Sequence, residues 1–196
     1  MITLPSDMIP ASVEVSELDF GMVLRPAQGG AVTRIDRPGN RHAAKVRMPP
    51  MVADRARVLL ARLKRARREG LRLPYPLVGE SQGVPGAPVV DGAVSGGTSL
   101  PVRALTAYYT AKEGYWLHVI DADGTRYLHS LAATVSADAA GEATLTLNEM
   151  LRAPLADGSA VGLSAPTIEG LVTGDLSWPL SPGGLTVVEF VLEEVA

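Results

Sequence analysis

The feature that most constrains this chain is the spacing of its turn signals. Glu113-Gly114, Asp123-Gly124, Ala140-Gly141 and Asp157-Gly158 separate the short runs SLPVRALTAYY, GYWLHVID, TRYLHSLAATV, GEATLTLN and AVGLSA. Glycine enters the left-handed backbone region without a Cβ penalty, and Asp-Gly between alternating runs signals a hairpin. Short apolar runs at roughly even spacing predict a small antiparallel sandwich or barrel. The chain holds 20 Gly and 15 Pro among 196 residues, so turns are frequent throughout. Val, Thr and Leu fill the intervals, and the class reads as mainly β.

The first third carries the one exception. SVEVSELDF alternates in part and predicts a strand burying Val13, Val15 and Phe20. After the turn signal Gly29-Gly30 come AVTRID and a second turn, Arg37-Pro38-Gly39-Asn40. In RHAAKVRM, Ala44, Val46 and Met48 alternate with Lys45 and Arg47, which predicts a strand with one apolar and one basic face. Pro49-Pro50 ends it. Residues 51–69 predict the single helix, with Val52, Ala56, Leu59, Leu60, Leu63 and Ala66 on one stripe. Gly70 stops the helix, KRARR suits the negative end of its dipole, and Asp54 is a candidate cap.

From Pro74 to Gly97 the chain is rich in Pro and Gly and reads as a connector between modules. LVTGDLSWPL and LTVVEFVLEEV then give two closing strands. The expected organisation is an N-terminal β-sandwich domain, residues 1–84 and 168–196, carrying the helix. An inserted antiparallel β-sandwich or barrel module spans residues 85–167.

Charge is distributed unevenly. Between Arg25 and Arg72 lie 14 of the 18 Lys and Arg residues and only Asp36, Asp54 and Glu69, a net of +11; the remainder carries −14. Such a split suits a surface that meets an oppositely charged one, including another copy of the chain. Arg55, Arg62, Arg65 and Arg68 are the candidate subunit contacts. Nucleic acid would engage ARLKRARRE through phosphates. No aromatic residue interleaves with those basic side chains and no second helix follows, so stacking and helix-turn-helix docking are not offered. The reading favours a subunit contact.

Little in the chain suggests chemistry. There is no cysteine, which removes disulfides and thiolate ligands and fits a reducing compartment. His118 and His129 fall on adjacent expected strands and could face each other, but no HxH or HExxH accompanies them. His42 is expected to be exposed. DADGT, residues 121–125, has its glycine at the wrong place for a calcium loop and reads as a hairpin turn. SGGTS lacks the GK[ST] of a phosphate loop, and no GxSxG occurs. The expectation is a non-enzyme without cofactor or metal. Tyr108, Tyr109, Tyr115 and Trp116 cluster in the central module and are candidate carbohydrate contacts, although strand aromatics more often pack a core. MITLPSDMIP has no basic n-region or apolar h-region, so no signal peptide is expected. No apolar run approaches the ~20 residues of a membrane helix. The expectation is a soluble chain without membrane insertion.

Several segments together resemble the distal tail proteins of siphophages that infect proteobacteria. These are ITLP at residues 2–5, RIDRPGNRHAAKVRMPPM, the helix ADRARVLLARLKRARREG, and GGTSLPVRAL. SADAAGEATLTLNEMLRAPLADGSAVGLSAP and IEGLVTGDLSWPLSPGGLTVVEFVLEE complete the set. The likeness spans most of the chain. It departs at His42, where the family carries an aromatic, and at LRLPYPL, which has a single Tyr. The resemblance implies a structural virion protein assembled in the host bacterial cytoplasm. It would form a ring, usually a hexamer, joining the tail tube to the tip hub protein, with the β module projecting outward. A host-carbohydrate-binding tail module and a nucleic-acid-binding protein are the alternatives.

Overall fold

The computed structural model describes residues 1–79, 81–179 and 184–195. The fold is mainly β with one helix among the described residues. In chain order the elements begin with β1 (Ile2–Thr3), β2 (Ser12–Leu18), β3 (Met22–Leu24), β4 (Thr33–Ile35), β5 (Arg41–Arg47), α1 (Ala53–Glu69) and β6 (Leu71–Pro74). They continue with β7 (Gly86–Val90), β8 (Ser99–Leu105), β9 (Thr110–Ala111), β10 (Trp116–Ile120), β11 (Arg126–Ser130) and β12 (Val135–Ser136). The last four are β13 (Ala143–Thr146), β14 (Val161–Gly162), β15 (Thr167–Thr173) and β16 (Glu189–Glu193).

Two compact units result. The first comprises Met1–Glu17, His42–Val78 and Thr167–Val195; the second comprises Leu18–Arg41 and Gly79–Pro166. Residues 18–41 thus group with the central module, whereas the sequence places them in the N-terminal domain. The predicted connector is also less irregular than its composition suggests, because Gly86–Val90 forms β7 against β8. Leu180, the last residue of the expected strand LVTGDLSWPL, lies outside the described residues.

The first unit is a six-stranded sheet, ordered β1-β6-β15-β16-β5-β2, with α1 against β15, β1 and β6. β1 runs parallel to β6, and β6, β15, β16 and β5 are successively antiparallel. The alternation in RHAAKVR is realised: His42, Ala44 and Val46 are buried while Lys45 and Arg47 are exposed. Phe190 pairs with Val46 and Leu192 with Ala44, which continues the apolar face across the sheet. α1 buries Ala56, Leu59, Leu60, Leu63 and Ala66, as its stripe predicts. Val52 departs from the stripe. It is the N-cap and is exposed, and no side chain, Asp54 included, caps the helix. Gly70 has φ of +75° and turns the chain from α1 directly into β6. A Cβ there would meet the Met1 side chain, so glycine is required on both counts.

In the second unit the sheets are β11-β10-β14, β13-β8-β7, β12-β9 and β3-β4. Leu100, Val102, Leu117, Val119, Leu131, Leu145 and Leu163, drawn from several of them, share one core. The DADGT turn is a hairpin between β10 and β11. The Asp121 carboxylate accepts the N–H groups of Asp123 and Thr125, each at 2.9 Å. Register corrects the expectation for the histidines. His118 pairs with Leu128 and His129 with Leu117, so side-chain alternation puts the two imidazoles on opposite faces of the ribbon.

Candidate assembly interface

The charge split of the sequence does not survive folding as a split between units. The first unit holds ten Lys and Arg against ten Asp and Glu, because the termini return Glu14, Glu17, Glu189, Glu193 and Glu194 to it. The basic residues of α1 are largely engaged inside that unit. Arg55 pairs with Asp7, Arg57 with Asp54 at 3.1 Å, and Arg65 with Glu69 at 2.8 and 3.1 Å. Arg62 donates to the Thr3 carbonyl at 2.5 Å and Arg67 to that of Gly174. Lys64 lies 5.0 Å over the Trp178 ring. The Arg65 guanidinium holds the Glu69 carboxyl below the usual carboxylate range. Of the four candidate contacts, Arg68 alone is exposed with no hydrogen-bond acceptor among the described residues.

The aromatic quartet is also dispersed by burial. Tyr115 is 6% exposed and belongs to the core, which corrects its reading as a sugar contact. Tyr109 is half-buried and donates its hydroxyl to the Gln82 carbonyl at 2.6 Å; burial pushes its pKa up to about 12. Trp116 is half-buried on β10, and its backbone N–H donates to Gln82 Oε1 at 2.6 Å. Only Tyr108 stands out, 72% exposed and in the left-handed region at φ +59°.

Buried polar groups are tied into the fold. His42, expected at the surface, is 2% exposed; its N–H donates to Glu194 Oε2 at 2.8 Å, and its Nδ1 lies 3.2 Å from the same oxygen. Glu169 pairs with Arg72. Ser130 donates its Oγ proton to Glu149 Oε1 at 2.8 Å and its N–H to Oε2 at 3.0 Å, while Asn148 donates to Ser130 Oγ. His129 Nδ1 is 3.7 Å from that carboxylate. This trio has a nucleophile's residue types but not its order: the hydroxyl goes to the carboxylate with no imidazole between, and His129 is fully buried. The ring of His118 lies against Gly162. Among the described residues no group of three or more His, Cys, Asp or Glu converges as a metal set.

Two apolar surfaces remain open, and sequence reasoning missed both. The β3–β4 ribbon exposes Met22, Val23, Leu24 and Ile35, flanked by Phe20 and Val32, each at least 43% accessible. Met22 pairs with Ile35 and Leu24 with Thr33, so these four share one face; Val23 and Arg34 take the other. The base of the ribbon is stitched. The Phe20 N–H donates to Asn40 Oδ1 at 2.8 Å, and Arg34 bridges Asp36 and Asp19 at 2.5 and 3.0 Å. Asp19 is held below the usual carboxylate range, chiefly by the Gly21 N–H and then by Arg34.

The second surface is a groove of about 500 Å³ in the first unit, lined by Leu4, Pro5, Ile9, Val13, Val15, Leu73, Tyr75 and Val78. Burial pushes the Tyr75 phenol up to about 12. Beside the groove runs β2, the last strand of the sheet, seven residues long. The signals were present in FGMVL, which alternates with VTRID, and in the proline-spaced apolar residues of MITLPSDMIP. No helix among the described residues is long and apolar enough to cross a membrane. Comparison with family models and with curated proteins returns no match.

Proposed function

We propose that this protein is a structural virion component, a ring subunit at the distal end of a bacteriophage tail that joins the tail tube to the tip hub. One observation carries the reading: the chain holds out a stitched β-ribbon whose apolar face is left in water. A two-stranded ribbon is marginally stable alone, and an exposed apolar face of this kind marks a surface that another chain covers. The long edge strand β2 adds a row of backbone groups open to pairing. The residue-level resemblance to distal tail proteins supplies the biological setting. In this assembly Arg68 is the basic contact of α1, since its neighbours on the helix are engaged internally.

Light scattering coupled to size-exclusion chromatography tests the reading. A closed ring elutes at a fixed multiple of the 20.5 kDa chain, six for a hexamer, across a wide concentration range. A monomer at every concentration refutes it. A second reading, attachment to host carbohydrate, draws support from Tyr108, an exposed aromatic held in a sparsely populated backbone region. A glycan array probed with the intact protein and with Tyr108→Ala separates the two.

A further inference from the structure

We infer that the apolar ribbon of one copy seats in the apolar groove of a second copy, so that the subunit contact is heterologous and driven by apolar burial. The inference rests on the ring reading and names its contact. The chain carries a protrusion and a receptor of matching chemistry. The ribbon presents Met22, Leu24 and Ile35 on one face. The groove presents Leu4, Ile9, Val13, Tyr75 and Val78. Charge complements the match. Arg25 and Arg37, at the two turns of the ribbon segment, are exposed and have no acceptor among the described residues. On β2, whose Val13 and Val15 line the groove, Glu14 is exposed.

A second copy fits the groove better than a separate ligand does. A small molecule would leave the ribbon uncovered, whereas a second copy covers both surfaces at once. Two different patches in contact generate a head-to-tail series, which closes into a ring when the rotation permits. The apolar pair stands at the centre of this contact, as the anatomy of stable interfaces requires.

The absence of cysteine makes the test clean. Leu24→Cys on the ribbon and Ile9→Cys at the groove are prepared as separate full-length variants, mixed, and oxidised. The expected product is the mixed disulfide, exceeding either self-disulfide by at least about tenfold, because a seated contact raises the effective thiol concentration. The double variant gives a ladder ending at the ring mass. Equal yields of mixed and self-disulfides overturn the inference, as does a dominant Leu24→Cys self-disulfide, which signals a two-fold contact. Leu24→Glu provides a second arm, and circular dichroism confirms its fold. Loss of the ring supports the inference. A ring that persists at unchanged mass overturns the contact while leaving the ring reading intact. A wild-type chain that is monomeric throughout overturns the ring reading itself.

Discussion

Gly162 and His118 offer the sharpest test of how the second unit is packed. They sit directly opposite on β14 and β10. A Cβ added at Gly162 would lie 2.5 Å from Nε2 and 2.7 Å from Nδ1 of His118, and closer still to the carbon between them. Comfortable contact is about 3.5–4.0 Å, so the ring must retreat by about 1 Å. It is 5% exposed, and retreat means displacing core neighbours. Gly162→Ala is therefore expected to cost about 1–3 kcal/mol from overpacking, less about 0.5 kcal/mol returned by the stiffer unfolded chain. His118→Ala is expected to cost about 2 kcal/mol through lost packing. In the double variant the added methyl group enters space the ring vacated, so the cost falls at least about 1 kcal/mol short of the sum. Urea unfolding in a Trp178→Phe background measures this, because Trp116 then reports on the second unit alone. Costs that add within about 0.5 kcal/mol refute the account of glycine as the seat of the imidazole.

Leu63 is fully buried between α1 and its sheet, so Leu63→Ala should cost about 3–5 kcal/mol, whereas Val52→Ala, at an exposed cap, should stay within about 0.5 kcal/mol; urea midpoints compare them. Asp157 is held below the usual carboxylate range, chiefly by Arg103 at 2.5 Å and then by the Gly92 N–H. A depressed carboxyl contributes stability above its unfolded value of about 3.9 and loses it as pH falls through the folded value. Asp157→Asn should therefore flatten the decline in urea midpoint below about pH 4, and an unchanged acid limb would count against that pairing.

Local pattern made much of the fold legible, and distance in sequence hid the rest. The stripe of α1 (Val52 apart), the alternation of β5 and the Asp-Gly hairpin between β10 and β11 depend on residues a few positions apart, and each is where the pattern puts it. β7 escaped because proline and glycine dominate its surroundings, and it forms only through pairing with β8. The two histidines were misplaced by one residue of register, which reverses a side chain's face. The basic segment misled for a related reason: sequence clustering says nothing about which acids the sheet brings back. Glu189 and Glu193 reach β5 only through β16, more than 140 residues away in the chain. The ribbon and groove were overlooked because hydrophobic pattern announces burial, and the ribbon's residues follow the pattern while staying exposed in one chain.

The register of β6 and β15 has a consequence for how such a protein can change over time. Pro74 and Thr167 face one another as paired neighbours, so for the sheet everything between is a single hairpin loop that happens to fold. Loop-closure cost grows only slowly with length. The pairing of the two strands therefore sets little limit on what lies between them. A different cassette could be spliced at that mouth while β6 and β15 keep their partners, provided it also receives residues 18–41, which group with the present one.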